Sequence, residues 1–180
     1  NKHLDLIIAA TPLEDDELIE KPIYYEPFVA YLPITNPHFG KSEISPSDLY
    51  SNDLLLLKDG NCFRNSIENL CFDCNEYKGR FDLKSGNFET LINLVDKGLG
   101  MTFLPYLHTL RLNESQKKML HEFKNPKPSR EISVVYHKNE VKIHIINEIK
   151  DLLKNLTKIK LQFNDVNIIS PIKNREAARL

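Results

Sequence analysis

Two cysteines, Cys62 and Cys71, are the residues of this sequence with the most direct potential for chemistry. They lie nine positions apart in the segment KDGNCFRNSIENLCFDC, residues 58–74. If the intervening residues are helical, nine steps of about 100° place the two thiols on opposite faces and about 13 to 14 Å apart along the axis. A disulfide requires Cα atoms within about 7 Å of each other. The spacing therefore predicts either a redox switch, in which bonding the pair unwinds the helix, or two ordinary buried thiols.

The residues around Cys62 favour a reactive thiolate. A helix that begins near Cys62 and the guanidinium of Arg64 would both place positive charge close to the sulfur, which stabilises the thiolate. Gly60 permits a tight turn before the helix, and Asn61 and Asn65 carry amides that could hydrogen-bond a leaving hydroxide or a bound oxyanion. These residue types predict that peroxide oxidises Cys62 to a sulfenic acid, which a second thiol can capture as a disulfide.

Cys71 fits the role of that second thiol only after a rearrangement. In the helical interpretation it lies near Ile67 and Leu70 on the apolar side, where a thiol behaves as a small buried hydrophobe. Cys71 and Cys74 also form a C-x2-C pair, the spacing of half a zinc site, but no second Cys/His pair at metal spacing follows. We therefore expect no metal site and no cofactor. The internal histidines are expected to be surface or satisfied side chains rather than catalytic bases: His38, His108, His121, His137 and His144.

The composition indicates one soluble globular unit, or two small lobes that share a core. The chain has 180 residues, of which 41% are hydrophobic and 27% charged, with a formal net charge of -1. A near-zero charge argues against a nucleic-acid surface within these residues, and no apolar run approaches the roughly 20 residues that span a bilayer. Three cysteines are an odd number for a secreted disulfide framework. The sequence thus predicts a cytoplasmic location without membrane contact.

Predicted strands and helices alternate over residues 53–105, which is typical of an α/β lobe with parallel pairing. An apolar strand at residues 4–9 stands so near the N-terminus that we expect a fragment of a longer domain. The elements that follow are two extended runs within 23–33 broken by Pro27, a loop over 33–46 and a short helix start at 45–49. Further strands are predicted at 53–57, near 80–83 and at 101–105, and helices are predicted from Cys62 onward and over 88–99. Gly98 and Gly100 are able to end the second of these helices.

The last part of the chain contains the longest predicted helix. A short helix and a short strand are predicted between 113 and 124, and the prolines of NPKPSR make 125–130 a linker. A strand at 131–137, a helix at 140–157 and a weak strand around 166–169 follow. The helix places five apolar residues along one stripe: Val141, Ile145, Ile149, Leu152 and Leu156. Extended crossings near 20–26 and 125–131 indicate two lobes joined by a double hinge.

The segments DGNCFR and FETLINLVDKGLGMTFLP (88–105), together with Cys71, resemble the regulatory domain of the peroxide-sensing OxyR branch of LysR-type transcription regulators. The resemblance runs over roughly residues 1–155. It implies a periplasmic-binding-protein-like (type 2) effector domain of two α/β lobes joined by a double crossover hinge, without the family's DNA-binding winged helix-turn-helix. The implied boundaries are an incomplete lobe I at 1–24 and 130–168, lobe II with the redox cysteines at 25–129, and a C-terminal tail at 169–180.

The resemblance also implies a function. Cys62 matches the cysteine that reacts with peroxide, and Cys71 matches the cysteine that resolves the sulfenic acid. The resemblance implies that a reversible disulfide between them refolds the intervening segment. This refolding would change the packing of a homodimer or homotetramer and activate antioxidant genes. Such a regulator is not an enzyme. Its implied partners are hydrogen peroxide, further copies of itself, promoter DNA through the absent N-terminal domain, and a reducing partner such as glutaredoxin or thioredoxin. Asn61 and Asn65 depart from the family, whose members commonly have His and Asp there.

Two alternatives use the same residues differently. The segment DGNCF is also similar to the nucleophile motif of OTU-type deubiquitinating cysteine proteases, in which Cys62 would attack an isopeptide carbonyl. That family requires a later histidine followed by an aromatic residue, whereas His38-Phe39 precedes the cysteine and the later histidines lack such a neighbour. The second alternative is a LysR-type effector domain that binds a small metabolite between its lobes, with both cysteines incidental.

Overall fold

The computed structural model describes residues 4–49, 53–58, 60–70, 86–158 and 165–172. Four predicted features lie wholly or partly outside the described residues: Cys71, Cys74, the strand predicted near 80–83 and the C-terminal tail beyond residue 172. Within the described ranges, no helix combines the length and the apolar character that a bilayer-spanning segment requires.

Seven strands and five α-helices make up the described part of the chain. The strands are β1 (Ile7–Thr11), β2 (Leu18–Tyr31), β3 (Glu43–Ile44), β4 (Thr102–Pro105), β5 (Leu120–Phe123), β6 (Lys127–His137) and β7 (Val166–Ile168). The helices are α1 (Cys62–Leu70), α2 (Phe88–Asp96), α3 (Tyr106–Thr109), α4 (Glu114–Lys117) and α5 (Ile143–Lys158), with a 3-10 helix at Pro46–Leu49.

The sheet is organised around the two longest strands, β2 and β6. They pair antiparallel from Leu18 opposite His137 to Pro27 opposite Ser129. β6 pairs antiparallel with β1 and parallel with β7. The C-terminal end of β2 pairs antiparallel with both β4 and β5. The predicted parallel pairing holds at the bridge between Leu54 and Met101. On its other edge β4 pairs antiparallel with β2, a strand pair for which the sequence predicts no direction.

Two hydrophobic clusters lie along these strands. The larger one includes Phe28, Leu54–Leu57, Ile67, Val95, Phe103 and Phe123. The smaller one consists of Ala10, Ile23, Ile132, Val134, Tyr136 and Ile146. Both clusters take residues from β2, at Ile23 and at Phe28, so one continuous strand contributes to two separate cores.

The predicted linker at 125–130 and the predicted break at Pro27 are both wrong. β6 already begins at Lys127 and contains Pro128, and β2 continues without interruption through Pro27 to Tyr31. A proline cannot donate a backbone hydrogen bond to a neighbouring strand. The pairing between β2 and β6 ends at Pro27 and Ser129, so Pro128 lies just beyond that ladder, while on the other edge of β6 it pairs with Asn167 of β7.

Four of the five residues of the predicted apolar stripe are exposed, whereas Ile149 is half-buried and Val141 precedes the first residue of α5. A stripe at helical spacing normally packs on a core, yet Val141, Ile145, Leu152 and Leu156 are 84%, 46%, 59% and 60% exposed. Ile146 is 1% exposed instead and joins the smaller cluster, with Ile143 and Leu153 packed against it. The helix carries apolar residues on two faces, and spacing alone does not identify the face that packs on the sheet.

The two helices nearest the candidate chemistry form where their local sequence predicts them. α1 begins at Cys62, and α2 begins at Phe88 with Asn87 as its N-cap, whose side chain accepts a hydrogen bond from the Thr90 backbone N–H. α2 ends at Asp96, three residues before the predicted end. Gly98 ends it, with φ +73° and its N–H donating to Val95 O at 2.8 Å, because glycine adopts this left-handed conformation without strain.

Candidate functional site

Cys62 is the first residue of α1 and is an exposed free thiol. The backbone before it is arranged as a helix start: Gly60 has φ +81°, and Asn61 accepts the Phe63 N–H on its side-chain oxygen at 2.9 Å. Asn61 O also accepts the Asn65 N–H at 3.1 Å. Asn61 therefore caps the helix in the manner of an N-cap residue. The free N–H groups of a first helical turn carry partial positive charge beside the sulfur.

Arg64 donates hydrogen bonds to two neighbours among the residues that the structure describes. Its Nε donates to Glu68 Oε1 at 2.8 Å, and its Nη1 donates to the backbone oxygen of Leu57 at 2.9 Å. The second bond ties the first turn of α1 to the buried Leu54–Leu57 run. The role of Arg64 in stabilising the Cys62 thiolate stays a prediction, since Glu68 offsets part of the guanidinium charge.

The buried face of α1 rests on aromatic rings. Phe63 and Ile67 are 4% and 0% exposed. The Phe63 ring lies edge-on to Phe28 at 5.2 Å and to Phe88 at 5.0 Å between ring centres. This geometry is favourable for aromatic pairs, so the residue after Cys62 fastens the helix start to β2 and α2.

A buried ion pair lies beneath the same ring. Glu26 on β2 is 1% exposed and accepts from Arg130 Nε at 3.0 Å and Nη2 at 2.7 Å, while its other oxygen accepts the Leu107 N–H at 2.8 Å. Arg130 Cζ lies 5.3 Å from the centre of the Phe63 ring. Sequence reasoning missed this pair. A charged residue directly before Pro27, within a run that is otherwise apolar, was the available signal.

Two asparagines of α1 bind a distant part of the chain. Asn65 Nδ2 donates to Pro171 O at 3.1 Å, and Asn69 Nδ2 donates to Ser170 O at 2.9 Å and Ile172 O at 2.7 Å. The sequence predicts that Asn65 hydrogen-bonds a leaving hydroxide or a bound oxyanion, whereas its amide donates to the backbone carbonyl of Pro171. Asn69 was not singled out by the sequence, which carries no local sign of these contacts.

The predicted site residues Gly60, Asn61, Cys62, Arg64 and Asn65 thus lie together at the start of one helix. Whether they act on peroxide stays a prediction, and Cys71 lies outside the described residues. The described side chains bring no group of three or more potential metal-ligating residues together.

Comparisons with known proteins identify the fold family. The LysR substrate binding domain matches residues 1–157. The hydrogen peroxide-inducible genes activator of Haemophilus influenzae is 33% identical over 135 residues, which cover 74% of this chain and 44% of that protein. The DNA-binding transcriptional dual regulator OxyR of Escherichia coli is 29% identical over 133 residues, which cover 74% of this chain and 43% of that protein.

A solved structure extends the likeness to three dimensions. The crystal structure of OxyR from Porphyromonas gingivalis superposes with a TM-score of 0.80 at 25% identity, covering 92% of this chain and 76% of the other. The chain spans about half the length of the curated relatives it matches. The predicted resemblance to the peroxide-sensing branch and the predicted α/β periplasmic-binding-protein-like fold are both confirmed. The chain belongs to the family of LysR substrate-binding domains.

Proposed function

We propose that this chain is the hydrogen-peroxide-sensing regulatory domain of a LysR-type DNA-binding transcription regulator. The observation that carries the proposal is the placement of Cys62 as an exposed free thiol at the first position of α1. Relatives named as peroxide-inducible activators support it. A regulator is favoured over a cysteine protease because the LysR substrate binding domain matches residues 1–157.

The proposed chemistry proceeds in two steps. The Cys62 thiolate attacks one oxygen of hydrogen peroxide, so that an S–O bond forms, the O–O bond breaks and hydroxide leaves to become water. The Cys71 thiolate then attacks the Cys62 sulfur, an S–S bond forms, and the sulfenic oxygen leaves as a second water. Two thiols lose two electrons in total, and one peroxide gains them. A thioredoxin or glutaredoxin would return the electrons.

Helix α1 has to unwind before the second step. Eight steps of 1.5 Å place Leu70 about 12 Å from Cys62 along the axis, and the next Cα follows at about 3.8 Å. Wherever the chain turns after Leu70, the Cα atoms of Cys62 and Cys71 stay more than about 8 Å apart, beyond the roughly 7 Å limit for a disulfide. The covalent step is therefore tied to a conformational change, as a switch requires.

The unwinding would be transmitted to the rest of a longer regulator. We assign lobe I to 1–24 and 130–168 and lobe II to 25–129. The division is supported by the two hydrophobic clusters, because the smaller one contains Ile23 of β2 and the larger one contains Phe28 of the same strand. Refolding of α1 in lobe II would alter packing between copies in a dimer or tetramer. Promoter binding is assigned to a winged helix-turn-helix outside these 180 residues, and the regulator would act in the cytoplasm, where bacterial DNA is found.

Oxidation by one equivalent of peroxide tests the proposal. The parent chain should form an intramolecular Cys62–Cys71 disulfide by mass spectrometry. Cys62→Ser should abolish the change, whereas Cys71→Ser should leave a Cys62 sulfenic acid that a dimedone-type probe traps without a disulfide. Cys74→Ser is the matched control and should behave as the parent. Equal probe labelling of the first two variants contradicts the assigned roles, and an unmodified parent overturns the proposal.

A further inference from the structure

The segment 165–172, here named the strap, joins the edge of the sheet to the helix that begins at Cys62. On the sheet side β7 pairs parallel with β6, with Lys127 N donating to Asp165 O at 3.0 Å and Ile169 N donating to Ser129 O at 2.8 Å. Ile169 packs against the larger hydrophobic cluster. The sheet therefore anchors one end of the strap through hydrogen bonds that do not involve α1.

The other end of the strap is held by side chains of α1. Three successive backbone carbonyls, those of Ser170, Pro171 and Ile172, accept hydrogen bonds from the amides of Asn65 and Asn69. Residues four apart share a face of a helix. These three residues are half-buried or buried, and backbone carbonyls that are shielded from water depend on protein donors. The two asparagines supply these donors to the carbonyls of residues 170–172.

We propose that Asn65 and Asn69 are positioning residues that couple the winding of α1 to the docking of the strap, so that the strap restrains Cys62–Cys71 disulfide formation and disulfide formation releases residues 170–172. The inference rests on the proposed peroxide-sensing function. Both asparagines lie between the two cysteines, within the segment that has to unwind.

The spacing of the donors makes the coupling obligatory. In a helix four residues rise about 6 Å, a separation at which Asn65 reaches the carbonyl of Pro171 and Asn69 reaches the carbonyls on either side of it. In an extended segment the same four residues span about 13 Å. Asn65 and Asn69 then cannot both reach their carbonyls. Coupling between two equilibria is reciprocal. Docking of the strap therefore stabilises the helical, reduced form of α1 by the same free energy by which unwinding of α1 destabilises the docked strap.

Asn69→Ala is the sharpest test, because Asn69 makes two of the three bonds and lies outside the predicted peroxide site. Disulfide formation from the Cys62 sulfenic acid should accelerate about tenfold, which corresponds to about 1.4 kcal/mol. Alanine is the better helix former and by itself would slow unwinding, so acceleration has to come from the lost bonds. In a Cys71→Ser background the rate of sulfenic acid formation should stay at the parent value.

Two further variants make the assignment specific. Asn69→Asp keeps the size of the side chain but removes both donors, and should accelerate disulfide formation as alanine does. Asn155→Ala makes the same change on the exposed face of α5 and should leave the rate unchanged. If both Asn69 variants form the disulfide at the parent rate, the restraint is overturned.

Hydrogen exchange of the strap supplies the second readout. The backbone amides of Ser170 and Ile172 should exchange several-fold faster in the oxidised parent than in the reduced parent, and faster in reduced Asn69→Ala than in the reduced parent. Strap exchange that is identical in both redox states of a parent that forms the disulfide overturns the coupling alone. A parent that forms no Cys62–Cys71 disulfide overturns the proposed function and with it the redox trigger.

Discussion

Arg130 Cζ lies 5.3 Å from the centre of the Phe63 ring, and Phe63 directly follows Cys62. Arg130 is held in that position by Glu26, its register partner across β2 and β6. The cation thus lies between a buried carboxylate and the face of an aromatic ring, a favourable arrangement for a guanidinium. The strand pair that connects the two hydrophobic clusters supports the first turn of α1.

Glu26→Gln should lower the free energy of unfolding by about 3 kcal/mol, because it leaves the Arg130 charge without a buried counter-ion. Urea unfolding followed by circular dichroism measures the change. Glu17→Gln is the matched control, since the ion pair of Glu17 with Lys138 is 57% and 44% exposed and such pairs contribute about 1 kcal/mol or less. Equal losses in the two variants would contradict a special role of the buried pair.

Gly100→Ala should prevent stable folding or cost well over 3 kcal/mol, whereas Gly98→Ala should cost about 1 kcal/mol. A Cβ at position 100 would lie 2.3 Å from the Asp53 backbone oxygen and 3.0 Å from Leu55 Cγ, while position 98 has no atom within 4 Å. Gly98 has φ +73° and Gly100 φ +153°, and alanine tolerates the first value far better than the second, so the difference between the variants combines the clash with the greater backbone strain at position 100. Comparable thermal midpoints for the two variants would show that the chain around Asp53 can move aside.

Features that depend on neighbouring residues could be predicted, and features that depend on distant pairing could not. The start of α1 at Cys62 follows from Gly60 and Asn61, which act within one turn. The Asn69 contacts join residues 101 and 103 positions apart, and the Glu26–Arg130 bond joins residues 104 positions apart. Such partners are fixed by strand register and by the position of the strap, and neither leaves a periodic pattern in the sequence.

Arg64→Gln should slow the reaction of Cys62 with peroxide, and Glu68→Gln should accelerate it. A positive charge near the sulfur favours the thiolate, and Glu68 offsets that charge through its 2.8 Å bond to Arg64 Nε. The rate of sulfenic acid trapping in a Cys71→Ser background measures both effects. A shift in the same direction for both variants would mean that Arg64 acts only by holding the helix to the Leu57 carbonyl.

Ile146→Ala should cost about 2 to 4 kcal/mol of unfolding free energy, because it removes a fully buried side chain and leaves a cavity. Ile145→Ala, one position earlier in the same helix, should cost less than about 1 kcal/mol. The two side chains are 1% and 46% exposed, so the pair tests which face of α5 packs on the sheet. The reverse order of the two losses would assign the core to the stripe that includes Leu152.

The free energy of unfolding should fall as the pH is lowered from about 7.5 to 5.5, in part through His108. Burial, and then the charge of Arg111, lower the pKa of His108 in the folded chain. The unfolded chain therefore binds more protons once the pH falls below about 6.5, the ordinary histidine value, and stability is lost in that direction. His108→Phe keeps a ring against Phe88, whose centre lies 5.0 Å away, and should flatten the profile. Arg111→Gln should flatten it partly, and an unchanged slope in His108→Phe would exclude His108 as the titrating group.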